Sequence, residues 1–337
     1  MDGGKQRKIL KKNINIFGKG EEKRDHVYIN DLIEILMVCL KKNARGIVNV
    51  ASGNVYSFYS IASEIINNVN KKIKIIPACG YDSIPSDLGT YYTAKQINEP
   101  LKSIFAYHNM SGGVSGGTIE SAFTMRDFKS KHKMGHPFLL NPKGSYSSSQ
   151  KLLSKDYFSI TKNKKLNKWV VPFVMAITNT RPVRRSAALM EAKQQSYGPD
   201  FVYNEFQMVK SLPTAIITTV SLAILGMIIV SPFKNFFRRF FPKPGTGPNE
   251  KTRNNGWYEA LFVAKTTKNQ EYVYRMYGKG DPGYKSTSMF LVESAISLLN
   301  NYQDGEYGIL TPATGLGEDL INRLKNQDVL FEGPLNK

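Results

Sequence analysis

Residues 211–233 read SLPTAIITTVSLAILGMIIVSPF, 23 positions without one charged side chain. At ~1.5 Å of helix rise per residue, that run can cross the ~30 Å hydrocarbon core of a bilayer. Lys234, Arg238, Arg239 and Lys243 follow at once, interleaved with Phe236, Phe237, Phe240 and Phe241. Such basic and aromatic side chains anchor at a membrane interface. The alternative is a helix buried in a soluble core, where an apolar run with this flank is uncommon. The pattern predicts a membrane segment at 211–233 with a basic-aromatic flank at 234–243. A single span would put the basic C-terminal side in the cytoplasm. A segment that dips in and returns would keep both flanks on one face.

Charge points the same way. The chain has 337 residues and a net charge of +19. Between Arg126 and Arg185 there are 14 Lys or Arg against two Asp, which is +12 of that total. So lopsided a balance predicts an anionic partner, and an anionic lipid surface is the expected one. No zinc finger, RNP-type aromatic motif or basic coiled coil accompanies it, so nucleic acid is not expected. Part of the basic stretch, Lys143–Lys168, is rich in Ser and Asn and reads as an exposed loop. Cys39 and Cys79 form no motif, which fits a reducing compartment. The basic N-terminus has no apolar run behind it and does not read as a secretory signal. His132 and His136 have helical i, i+4 spacing, but Gly135 and Pro137 oppose a helix and no third ligand is near. No metal site is expected.

The stretch Ile76–Gly89 reads as strand, turn and helix start. Lys74–Ala78 is a short apolar strand. Ser83 is a candidate N-cap, with Pro85 and Asp87 in the first turn and a helix over Leu88–Ile97. The carboxyl end of a strand meeting a helix N-terminus is a usual ligand site in α/β sheets; a well-capped connection without a ligand is the alternative. Leu101–Asn109 reads as a strand, and a glycine-rich turn from Ser111 leads into a helix. Its spacing is neither G-x-G-x-x-G nor a P-loop. Further on, Gly256–Ala264 pairs with Tyr272–Tyr277 around a turn at Thr267–Gln270. Helices are expected at Ser286–Asn300 and Leu316–Leu324, with strands at Tyr307–Thr311 and Val329–Phe331. Gly315-Leu316-Gly317 reads as a helix-capping turn, and Tyr91-x-x-x-Lys95 as coincidence.

Several of these words resemble one family. CGYDSIPSDLG at 79–89, SGGTIES at 115–121, PGTGP at 244–248, GWYEALF at 256–262 and GILTPATGLGEDLINRL at 308–324 are similar to the saccharopine-dehydrogenase-like oxidoreductases, a group that includes trans-acting enoyl reductases. The resemblance covers about residues 76–335. It implies an α+β fold with a mixed-sheet substrate and catalytic domain, and NAD(P)H-dependent reduction of an enoyl or related lipid group. It places Cys79, Asp82, Ser83, Asp87, Ser111, Gly112, Gly113, Gly116, Gly117 and Thr118 near substrate or cofactor, without assigning an acid or a base. Because the resemblance resumes after residue 233, it favours the dipping segment over the span. The protein is then expected on the cytoplasmic face of a membrane.

Residues 1–75 resemble something else. Phe17-Gly18-Lys19-Gly20, Arg24-Asp25-His26-Val27-Tyr28-Ile29-Asn30-Asp31 and Val48-Asn49-Val50-Ala51-Ser52-Gly53 are similar to the C-terminal part of extended short-chain dehydrogenases, the NAD-dependent epimerases and dehydratases. Short strands at Ile14–Phe17 and Gly46–Val50, a helix from Leu32 and another from Ser57 or Ser60 would make a small α/β fragment. In that family Arg24 would approach the diphosphate of a nucleotide sugar; pairing with a nearby carboxylate is the alternative. No dinucleotide fingerprint occurs anywhere in the chain, so no complete Rossmann domain is expected. The simplest account joins two truncated genes near Ile75. Such a chain would be inactive alone, an epimerase or dehydratase remnant, or a non-catalytic membrane-docking protein.

Overall fold

The computed structural model describes residues 73–113, 116–125, 135–242, 246–301 and 306–335, and before them 23–25, 34–35, 37–38, 41 and 55–57. The chain divides into two compact units, residues 1–74 with 128–132 and residues 75–127 with 133–337. In the first, strand Lys23–Asp25 pairs antiparallel with Val55–Ser57, setting Arg24 opposite Tyr56. Ser57 closes a strand there, so a helix does not begin at that residue. The strands expected at Ile14–Phe17 and Gly46–Val50 lie outside the described residues, as do Cys39, His26 and His132.

The second unit is built on a seven-stranded sheet. Its elements run α1 (Ile84–Ile97), β1 (Leu101–Ser111), α2 (Gly116–Met125), α3 (Ser148–Leu153), β2 (Thr161–Asn163), β3 (Lys168–Pro172), α4 (Ala176–Ala192) and β4 (Val202–Val209). Then come α5 (Leu212–Val230), α6 (Lys234–Arg238), α7 (Glu250–Asn255), β5 (Trp257–Thr266), β6 (Glu271–Lys279), a π-helical turn (Pro282–Ser286), α8 (Thr287–Asn300), α9 (Pro312–Gly315), α10 (Gly317–Lys325) and β7 (Leu330–Glu332). The strand order is β7-β6-β5-β1-β4-β3-β2. β1 and β4 run parallel, and every other pair is antiparallel.

Strand alternation decides which face is covered. In β5, Tyr258, Ala260, Phe262, Ala264 and Thr266 are buried, while the residues between them are half-exposed. With Ile104 and Ala106 of β1, the first four form the main core, which takes in Ile84 and Leu88 of α1 and Val183 of α4. Gly89 lets α1 come close: a Cβ there would lie 2.0 Å from the Phe262 ring.

Several expectations need correction. The strand over Lys74–Ala78 is only Lys74–Ile75 long: Pro77 has no N–H to pair, and Ala78 turns left-handed at φ 62°. α1 starts at Ile84, four residues before the expected Leu88; Pro85 fits its first turn, where an N–H has no helical acceptor. Ser83 sits at the N-cap but its side chain makes no capping bond. Lys143–Lys168 is not simply loop. Ser147 and Gln150 form a capping box that starts α3, and β2 then pairs with β3.

The basic stretch is also less of a surface than its charge suggests. Arg181 is buried and bonds Asp156 through both terminal nitrogens, at 2.7 and 2.8 Å. Arg184 is buried and donates to the carbonyls of Tyr203 and Pro137 and to Asn204. Arg185 donates to the carbonyls of Leu140 and Ile309. These guanidiniums hold loops against the sheet.

Candidate functional site

β1 and β4 are the parallel pair, so their carboxyl ends share one edge of the sheet. Four loops gather there. Tyr81 N–H donates to Thr287 Oγ1 at 3.1 Å. Gly116 N–H donates to the Thr246 carbonyl at 3.1 Å, and Tyr284 OH donates to the same oxygen at 2.7 Å. Asp281 caps the π-helical turn by accepting from the Tyr284 and Lys285 N–H groups. Tyr81 and Tyr258 meet edge to face at 5.3 Å just inside this edge.

Beneath the loops lies a polar cluster enclosed by α1, α4 and the sheet. Register sets Glu205 of β4 opposite Ala106 of β1, so His108 is the next side chain on that face. Glu205 Oε1 accepts from Tyr203 OH at 2.8 Å, and Oε2 accepts from Asn179 Nδ2 at 3.1 Å. Asn179 Nδ2 also reaches Ser86 Oγ at 3.3 Å. His108 Nε2 stands 3.8 Å from Glu205 Oε2. The imidazole is 1% exposed and stacks on Phe173 at 4.5 Å, and neither ring nitrogen has a hydrogen-bond partner among the described residues. Burial drives the two groups apart from their usual behaviour. Glu205 is pushed up to about 7, and His108 is pushed down to about 3. At neutral pH a neutral imidazole therefore faces a carboxyl poised to gain or lose a proton. Perturbed acid–base pairs of this kind cluster at functional sites.

A second buried carboxyl, Asp87, directly follows Ser86 in the chain. Asp87 accepts from Ser186 Oγ at 2.5 Å and from the Ala313 N–H at 2.8 Å. Burial raises it to about 7 as well. It joins α1, α4 and α9, so it holds the wall of the cluster together.

The residues predicted from sequence divide between these places. Asp87 is in the buried network, and Ser83 is buried at the start of α1. Cys79 donates to the Ile76 carbonyl at 3.2 Å, and burial raises its thiol to about 11, which keeps it protonated and poorly nucleophilic. Asp82, Ser111, Gly117 and Thr118 lie exposed at the edge, and Gly116 is buried. His136 accepts from the Phe138 N–H through Nδ1. Arg24 sits in its short strand in the other unit. Sequence reasoning missed His108, Glu205, Asn179 and Ser86. The available signal was weak, because His108 shares its strand with Lys102 and Asn109, and Glu205 shares its strand with Asn204 and Gln207.

Comparison with known proteins gives two likenesses. The family model for the NAD dependent epimerase/dehydratase family matches residues 5–51. A Mycobacterium tuberculosis (strain H37Rv) protein, whose designation as a trans-acting enoyl reductase is provisional, is 32% identical over 276 residues, covering 74% of this chain and 65% of the relative. The trans-acting enoyl reductase of Mycobacterium ulcerans is 31% identical over 284 residues, covering 76% and 66%. That of Mycobacterium bovis (strain BCG) is 31% identical over 285 residues, covering 77% and 66%. The chain has trans-acting enoyl reductases for relatives. It spans just under two thirds of their length.

The description of the matching family names NAD, so the glycine loop bears testing as a dinucleotide cradle. It does not fit one. A Cβ on Gly112 would lie 2.8 Å from Pro282 and 2.9 Å from Asp281, and one on Gly113 would lie 2.6 Å from Pro248. The space that phosphates would need above those glycines is filled by the chain's own side chains. The close approach that glycine permits serves loop packing here.

Proposed function

We propose that this chain is an oxidoreductase of the saccharopine-dehydrogenase-like type, acting on an enoyl or related acyl-lipid group at a membrane. Its likeness to trans-acting enoyl reductases, 32% identity over 74% of the chain, carries the reading. The polar cluster supports it. Glu205 would hold a proton near neutral pH, and Tyr203 and Asn179, the latter bonded to Ser86, would fix its orientation beside the His108 ring. NAD(P)H supplies hydride in such enzymes. The loop at Gly112 and Gly113 is filled by Pro248, Asp281 and Pro282 and offers no cradle for it. The exposed apolar helix and its basic flank support docking to the cytoplasmic face of a membrane.

The test is enoyl-thioester-dependent consumption of NADPH or NADH by the purified full chain in detergent, with nucleotide binding followed by fluorescence. Consumption that falls in Glu205→Gln supports the reading. Nucleotide-sugar binding lost in Arg24→Ala would favour a second reading, an epimerase or dehydratase remnant, which rests on the match over residues 5–51. Neither activity would leave a non-catalytic membrane-docking protein.

A further inference from the structure

The chain leaves the sheet at Val209 and rejoins it at Trp257, and β4 and β5 both hydrogen-bond to β1. The two flanks of the apolar helix therefore belong to one folded layer. One crossing of a bilayer would deliver them to opposite faces. A return crossing needs ~20 apolar residues. Residues 231–256 supply only α6 and α7 among the described residues, helices of five and six residues.

Both ends of the helix are also fastened to the same unit. At its start, Ala215 packs with Val171 and Val209. Beyond its end, Arg238 Nε donates to Glu120 of α2 at 2.9 Å, and Arg238 Nη2 reaches the other Glu120 oxygen. Phe241 meets Phe123 edge to face at 5.5 Å. Between these fastenings Ala215 is the helix's one buried residue. Ile217, Ile224 and Met227 stand 66%, 46% and 60% exposed, and Phe233, Phe236 and Phe240 continue the exposed apolar surface. Arg239 stacks on Phe236 at 4.5 Å within it. Phenylalanines interleaved with guanidiniums match the boundary between acyl chains and anionic headgroups.

The clasp lies beside the candidate site. Gly116, bonded to Thr246 at the sheet edge, is four residues before Glu120, ~6 Å along α2.

We infer that α5 and α6 insert into a single leaflet of an anionic membrane without crossing it, and hold the carboxyl edge of the β1–β4 pair at the headgroup layer, where an acyl-lipid substrate enters from that same leaflet. The substrate clause rests on the enoyl-lipid reading above; the insertion stands on topology and exposure.

The experiment uses the full chain with Cys39→Ser and Cys79→Ser, carrying Lys210→Cys and Glu250→Cys at two exposed positions flanking the insert. It is reconstituted into sealed phosphatidylcholine vesicles with or without phosphatidylglycerol, floated, and treated with a membrane-impermeant maleimide. The expected result is flotation that depends on phosphatidylglycerol and is lost in Ile217→Asp/Ile224→Asp. Molecules labelled at both cysteines or at neither are expected by mass. Singly labelled molecules would show a crossing and overturn the inference. Folded protein that does not float, or whose Ile224→Cys variant cross-links to a second copy instead, would also overturn it. Loss of enoyl-dependent NADPH consumption in detergent would sink the catalytic reading alone and leave flotation and labelling unchanged.

Discussion

Asp87 and Ser186, 99 residues apart, share a 2.5 Å hydrogen bond that ties α1 to α4. The other Asp87 oxygen takes the Ala313 N–H at 2.8 Å. Both donors are buried, so in Asp87→Asn the amide NH2 faces either the Ala313 N–H, which loses its acceptor, or Ser186 Oγ, which must turn its hydrogen to the Pro182 carbonyl or Thr311 Oγ1. We expect a loss of about 1–3 kcal/mol. Denaturant unfolding in detergent measures it, and Asn at wild-type stability would show that the bond contributes nothing.

The two raised carboxyls set a pH dependence. An unfolded Asp or Glu titrates near ~4, whereas folded Glu205 and Asp87 titrate at about 7. Between those values the folded chain keeps protons that the unfolded chain has released. Their contribution is complete below ~4 and is lost as pH rises toward 7. Glu205→Gln cannot release its proton, so its melting temperature should fall less steeply over that window. Parallel profiles for the two proteins would contradict the raised Glu205.

His108 has the opposite sign. Its folded value is pushed down to about 3, against ~6.5 for an unfolded imidazole. Its contribution is present above ~6.5 and is lost as pH falls through that window. His108→Phe keeps a ring on Phe173 and removes two unpartnered nitrogens. We expect equal or higher stability at neutral pH, less acid sensitivity, and loss of enoyl reduction. Full activity in the stable variant would remove His108 from the site.

Gly89→Ala places a methyl 2.0 Å from the Phe262 ring. Overpacking of this kind costs about 1–3 kcal/mol. Phe262→Leu in the same chain should recover part of the loss, because the clash then meets a smaller side chain. A double-mutant cycle reads that coupling.

Some of this was legible in the sequence. The β5–β6 hairpin was read as two strands around the turn at Thr267–Gln270, and the observed strands, Trp257–Thr266 and Glu271–Lys279, extend the expected ones by one or two residues at most ends. The 14-residue α8 was read within one residue of its start. The polar cluster was not legible, because Glu205 and His108 become neighbours only through the β1–β4 register. Nor was the inward use of Arg184: charge counts cannot tell a guanidinium that meets lipid from one that meets the Tyr203 carbonyl. The glycine spacing, neither a dinucleotide fingerprint nor a P-loop, favoured a tight turn, and Pro248, Asp281 and Pro282 pack against Gly112 and Gly113 there.

The insertion between β4 and β5 has a further consequence. These strands flank β1, so Val209 and Trp257 leave and enter the sheet two strand spacings apart, ~10 Å. A handful of residues would bridge that gap, yet the chain uses the 47 residues from 210 to 256. Against a five-residue link, closing so long a loop costs about 2 kcal/mol of chain entropy. The sheet does not need the excursion in order to close. The apolar helix is thus a detachable appendage on a finished scaffold, and trimming it to a short turn should yield a soluble sheet with the polar cluster still assembled.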